Sequence, residues 1–363
     1  MAQDETPTTN NFCMEDILNP NIRHVADREK DMKACGKWNN TTIFLDNNEN
    51  PYQVDYHRMS VSNPAQLLSR IAELKHLRVE NICLGTSIEE FIDILYRCVC
   101  RAHVDNVVAV EPTENPYIRY AEINGVEYRR VLPDNDFRVT AAQILDECDE
   151  RTKIIWLGSP NNPTGNVLDA DEVTLLLDLF RGIVVIDETY VAFSSNRSFI
   201  STLSKYHNLV ILNNVSNEWG CVGIGISAAF GASDIVENMR KIQPRPNVSD
   251  PSLQYAIHLL QTPYDIDKWQ KSVLLERQQV MSAFSLLPFC LKVYPTGANF
   301  FLVKMRNAQK VYQYLLQHNI VVRDCSSLPM CEDCLRITIG TRNQNNVLLS
   351  VLRQYDEESR TQN

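Results

Sequence analysis

Seven short β-rich runs constrain this chain more than any other feature. They are NICLG (81–85), NVVAVE (106–111), EYRRVL (127–132), KIIWLG (153–158), GIVVIDE (182–188), LVILNN (209–214) and AAFGA (228–232). Between them lie stretches such as EEFIDILYRCVCRA and ADEVTLLLDLFR, whose apolar residues recur every three or four positions, as on one face of a helix. Strands alternating with helices predict an α/β architecture, a seven-stranded, mostly parallel sheet with helices on both faces. Runs such as IVVI have no polar face, as expected of strands buried on both sides. After about residue 250 the pattern changes. A long helical segment, DIDKWQKSVLLERQQVMSAFSLL, leads into the short strands LKVYP, NFFLVKM, IVVRD and LRITIG. The expected organisation is an N-terminal arm and part of a small domain over 1–50, a large domain over 51–250, and a small C-terminal α/β domain over 251–363. A chain of 363 residues exceeds what one core usually supports.

Bulk chemistry removes several function classes. The formal net charge is -10, and no Lys/Arg run supplies the basic stripe that nucleic acid requires. No window of ~18 apolar residues predicts a membrane-spanning helix. The N-terminal MAQDETPTTNNFCMED lacks the basic and apolar regions of a signal peptide. The 11 cysteines then read as reduced thiols in a cytoplasmic chain. Cys331 and Cys334 form a CxxC near Cys325, but no fourth ligand follows at zinc spacing, so no metal is expected.

Chemistry concentrates after the strands, where an open α/β sheet places its ligands. SPNNPTG (159–165) follows KIIWLG directly, and Pro163 and Gly165 impose a turn from which Asn162 projects. GIVVIDETY ends a buried run on Asp187, followed by Tyr190. A carboxylate there is costly unless paired, and a pyridinium nitrogen would be one suitable partner.

SPNNPTGN followed by VVIDETYVAF resembles the fold type I pyridoxal-phosphate aminotransferases. The closer likeness is to histidinol-phosphate aminotransferases and to phospho-amino-acid decarboxylase-like proteins. FLDNNENPY, YAEINGVEYRRV, GANFFLVK, VVRDCSSLP and LRITIGTRNQN match in order, so the likeness covers nearly the whole chain. It implies the aspartate-aminotransferase-like fold and a pyridoxal phosphate or pyridoxamine phosphate cofactor. Asn162 and Tyr190 would hydrogen-bond the cofactor 3′-oxygen, and Asp187 the ring nitrogen. Thr86, Ser87 and Ser216 would also contact the cofactor. Tyr52 would reach the phosphate in a neighbouring subunit, which implies a homodimer. Asn299, Arg323 and Arg336 would line the substrate side, with Arg336 gripping a carboxylate bidentately. The ligand implied is an amino acid or a phosphate-bearing amine.

Four positions depart from the pattern. Where the family reads SKAFGLAGLR, this chain reads SNEWGCVGIG (216–225). Ser216, Gly220 and Gly223 fix the register, so the Schiff-base lysine falls on Asn217 and the phosphate-binding arginine on Gly225. The glycine-rich GxGSDE loop is GTSIEE (85–90), one glycine short, and the ring-stacking aromatic of EPTY is Glu114. Asparagine has no basic nitrogen and can neither form the imine nor carry the proton. Loss of a positioned acid–base alone costs ~10²–10⁴ in rate. Sequence alone therefore predicts a pseudoenzyme that binds a ligand through the inherited site. Two alternatives stand beside it: an enzyme of altered chemistry holding its cofactor non-covalently, and a heterodimer completed by a lysine-bearing paralogue.

Overall fold

A computed structural model describes residues 12–25, 64–244, 247–261 and 263–361, with residues 43, 48, 50 and 52. All seven β-rich runs are strands: β1 (Ile82–Gly85), β2 (Asn106–Val110), β3 (Glu127–Val131), β4 (Thr152–Gly158), β5 (Ile183–Asp187), β6 (Leu209–Asn213) and β7 (Ser227–Gly231). They form one sheet in the order β1-β7-β6-β5-β4-β2-β3. The β2, β3, β4, β5 and β6 pairings are parallel, and β7 is antiparallel to both neighbours. Every residue of β5 is buried, because an apolar core packs on each face of the sheet. One face presents Ile155, Val184, Ile186 and Ile211 to one cluster. The other presents Ile154, Trp156, Val185 and Leu212 to a second. Adjacent strand residues alternate between the two cores, as the pleat requires.

The described part of the N-terminal segment, residues 12–25, lies on the large sheet's helical layer. Met14 and Leu18 join the second core beside Phe91 and Leu95. Asn19 Nδ2 donates to the carbonyls of Arg97 and Cys100, at 3.2 and 2.9 Å. Two apolar side chains and the amide that follows them dock on the nearest helix end.

The small unit is an antiparallel sheet ordered β10-β11-β9-β8, with β8 (Cys290–Val293), β9 (Phe300–Met305), β10 (Arg323–Asp324) and β11 (Cys334–Thr338). Its core includes Phe284, Phe301, Val311 and Leu352. The long predicted helix is Pro263–Phe284. Cys325, Cys331 and Cys334 sit in a separate buried cluster with Phe137, Tyr294 and Leu302. Burial pushes the thiols of Cys325 and Cys334 up to about 11 and about 12, so they are protonated and poorly nucleophilic.

Candidate ligand site at the strand ends

Parallel pairing sets Gly158 of β4 beside Asp187 of β5, and Asp187 beside Leu212 of β6. The loops leaving the carboxyl ends of these strands therefore converge. They carry SPNNPTG, the DETY turn and NVSNEWG.

Asp187 is the floor of the site and 5% exposed. Thr189 donates to Oδ1 through its N–H at 2.8 Å and its hydroxyl at 2.6 Å. Asn115 Nδ2 donates to Oδ2 at 2.9 Å. Burial raises the carboxyl above its ordinary range, and these hydrogen bonds oppose that rise. Asn115 was not legible as a site residue. Nothing in the string ENPY marks a side chain that will meet an aspartate 72 residues away.

Asn161 Nδ2 donates to the Pro112 carbonyl at 2.9 Å and to Thr164 Oγ1 at 2.7 Å. The Glu114 N–H donates to the Asn162 carbonyl at 2.8 Å. These bonds fasten the loop after β2 onto the SPNNPTG loop and set Glu114 above Asn162. The small unit closes the far side. Phe300 packs edge-on against Tyr190, with ring centroids 4.9 Å apart, and the Arg336 guanidinium lies 5.2 Å from the centre of the same ring. Arg336 Nη1 donates to both Glu114 Oε2 and Asn162 Oδ1. Arg323 Nε donates to Glu114 Oε1 at 2.6 Å. Asn162, Asp187, Tyr190, Arg323 and Arg336 are thus brought into one region, with Asn299 on β9's approach bonded through its carbonyl to the Ile339 N–H. Glu114, expected where a ring would stack, has turned to the arginines instead. Burial raises the Tyr190 hydroxyl, with Asp187 adding and Arg336 opposing.

The other expected residues are committed locally. Ser216 Oγ donates to the Ile226 carbonyl at 2.7 Å and accepts from the Ile226 N–H at 2.6 Å. Its single hydroxyl hydrogen is therefore used. Thr86 donates both its N–H, at 2.7 Å, and its hydroxyl, at 2.8 Å, to Glu90 Oε2. Ser87 caps the helix Ile88–Val99 by accepting from the Glu90 N–H. Gly225 is left-handed at φ 59, a conformation that disfavours any side chain. Asn217 donates through Nδ2 to the Thr189 carbonyl at 3.1 Å. A lysine does reach this turn, but not as a free amine. Lys75 Nζ donates to both oxygens of Glu218 at 2.9 Å. Tyr52 is 78% exposed, and among the described residues no contact joins it to the cluster.

These groups fit the ring of pyridoxal phosphate but not its phosphate. Asp187 and Tyr190 offer what the ring would need. The opposite end offers a carboxylate, Glu90, on the Thr86 donors, and no side chain at Gly225. A phosphate placed there would meet the Glu90 carboxylate, which already holds the Thr86 donors.

A family model described as aminotransferase class I and II matches residues 10–352. The chain is 40% identical over 314 residues to a histidinol-phosphate aminotransferase of Bacteroides thetaiotaomicron, covering 86% of this chain and 91% of that one. Among solved structures, the histidinol-phosphate aminotransferase of Clostridium acetobutylicum superposes with a TM-score of 0.75 at 22% identity, covering 82% of this chain and 90% of that one. That of Sinorhizobium meliloti, solved in complex with pyridoxal-5′-phosphate, superposes with a TM-score of 0.73 at 18% identity, covering 82% and 83%. Sequence and fold agree, and the chain belongs to the class I and II aminotransferase family.

Proposed function

We propose that this chain is a member of the aminotransferase family that binds a small ligand at the inherited site and does not transaminate. One observation carries the reading. Asn217, in the turn after β6 at the position we assign to the lysine, spends its amide on the Thr189 carbonyl at 3.1 Å. An amide nitrogen has no lone pair basic enough to form an imine or to move a proton at neutral pH. The commitments of Ser216, Thr86 and Glu114 support the same conclusion from separate points of the site. Binding of pyridoxal phosphate is then weak or absent.

The site keeps convergent polar groups for a ligand: the Asp187 carboxylate, the Tyr190 hydroxyl and Asn299 Oδ1, which has no partner among the described residues. The Asp187 carboxylate favours a second reading, in which pyridoxamine phosphate or a similar protonated heterocycle is held non-covalently. We further propose a homodimer, which the exposed Tyr52 supports, in a reducing cytoplasmic compartment; light scattering tests the first.

The test of function is a coupled transamination assay with histidinol phosphate, an oxo-acid acceptor and saturating pyridoxal phosphate. Wild type shows no turnover above the uncatalysed rate. Asn217→Lys alone also stays inactive, because Gly225 still supplies no cation and Glu114 still holds both arginines. Turnover by wild type at a rate ordinary for enzymes, ~1 s⁻¹ or more, sinks the proposal.

A further inference from the structure

The arginines of the site do not face an open cavity. Arg323 Nε and Arg336 Nη1 both donate to Glu114, one to each carboxylate oxygen. Glu114 stands on the loop after β2 in the large unit, whereas the arginines sit opposite each other on β10 and β11 of the small sheet. The carboxylate thus bridges the two units. The side chains of Glu114 and Arg336 are only 14% and 18% exposed, so water screens the pair weakly.

Charge and geometry show what the bridge does. Glu114 pairs with both Arg323 and Arg336, so each guanidinium already has an anionic partner. Arg336 meets Glu114 through one nitrogen, and its Nε is buried with no partner among the described residues. A free carboxylate would be expected to take the guanidinium through two nitrogens. The tether from the Glu114 backbone, fixed to the Asn162 carbonyl, permits one. An external anion must first expel Glu114.

We propose that Glu114 is a tethered carboxylate filling the anion clamp of Arg323 and Arg336, so that the site selects against free carboxylate and phosphate ligands. Glu114 is then the specificity-determining residue, and the ligands admitted are neutral or cationic. This deepens the ligand-binding reading and rests on it only for the location of the site.

The test is calorimetric titration of L-glutamate, and separately of inorganic phosphate, into cofactor-free wild type, E114Q and the double variant E114Q/R336A. Wild type gives no binding at millimolar ligand. E114Q, isosteric but uncharged, binds L-glutamate at least about tenfold more tightly than the wild-type limit, the scale of one charge-assisted hydrogen bond. E114Q/R336A loses the gain. Wild type binding as tightly as E114Q, or folded E114Q gaining nothing, overturns the proposal. Should E114Q fail to fold, Arg323→Ala removes the partner that is 62% exposed. Its strands 323–324 and 334–338 then exchange amide hydrogens faster than wild type, and unchanged exchange overturns the bridge. The titration involves no turnover, so transamination by wild type would sink the functional proposal and leave this one standing.

Discussion

Replacing Glu188 with glutamine should change how stability depends on pH, by an amount that follows from its surroundings. Glu188 is 1% exposed. Ser198 donates its hydroxyl to one carboxylate oxygen, and the Phe199 N–H donates to the other at 2.6 Å. Burial outweighs both and pushes the carboxyl from 4.5 up to about 7; Lys75 opposes the rise and Glu218 adds to it. The unfolded chain gives up this proton near 4.5, while the folded chain keeps it until about 7. Between those values the folded state binds more protons, so stability falls as pH rises. At ~1.4 kcal/mol per unit, the interval amounts to on the order of 3 kcal/mol. Glutamine has no such proton. The assay is urea unfolding of wild type and E188Q from pH 4.5 to 8, followed by circular dichroism. The stability of E188Q relative to wild type should increase across that range and level off above about pH 7. Asp187, also raised by burial, contributes a slope of the same sign in both proteins and cancels in the difference. Curves that stay parallel over the whole range would refute the reasoning.

Two other substitutions probe the scaffold. Asn115→Leu removes the donor to Asp187 Oδ2 and leaves a buried acceptor unpaired, at a cost of ~1–3 kcal/mol; a neutral effect in chemical denaturation would contradict the assigned contact. Gly165 has φ +75, and a Cβ there would lie 2.3 Å from Thr296 Oγ1. Gly165→Ala should therefore lower stability by more than ~1 kcal/mol, and an unchanged melting temperature would show that the loop relaxes freely.

Much of the fold was legible because its signals are local. IVVID and LVILN are continuous apolar runs that only a two-sided buried sheet accommodates, and both are strands. IVVRD was less so, since only Arg323 and Asp324 of it pair. The docking of Met14 and Leu18 on the large unit was hidden, because a four-residue helix carries no periodicity to read. In the site, Asp187 and Asn162 stood out at the ends of strands. The Glu114 bridge did not, because its partners lie 209 and 222 residues away. Nor did the Lys75–Glu218 pair, which spans 143 residues. Side-chain pairs of that range come from topology, which composition and spacing do not encode.

The proposed function requires that this site form no imine with pyridoxal phosphate. The most direct measurement adds the cofactor to purified full-length protein, records the absorbance spectrum, reduces with borohydride and weighs the intact chain. The expected result is an aldehyde spectrum unchanged from free cofactor and no gain of a pyridoxyl group on residues of the site. A shifted imine band with stoichiometric pyridoxylation at one lysine, Lys75 included, would contradict it.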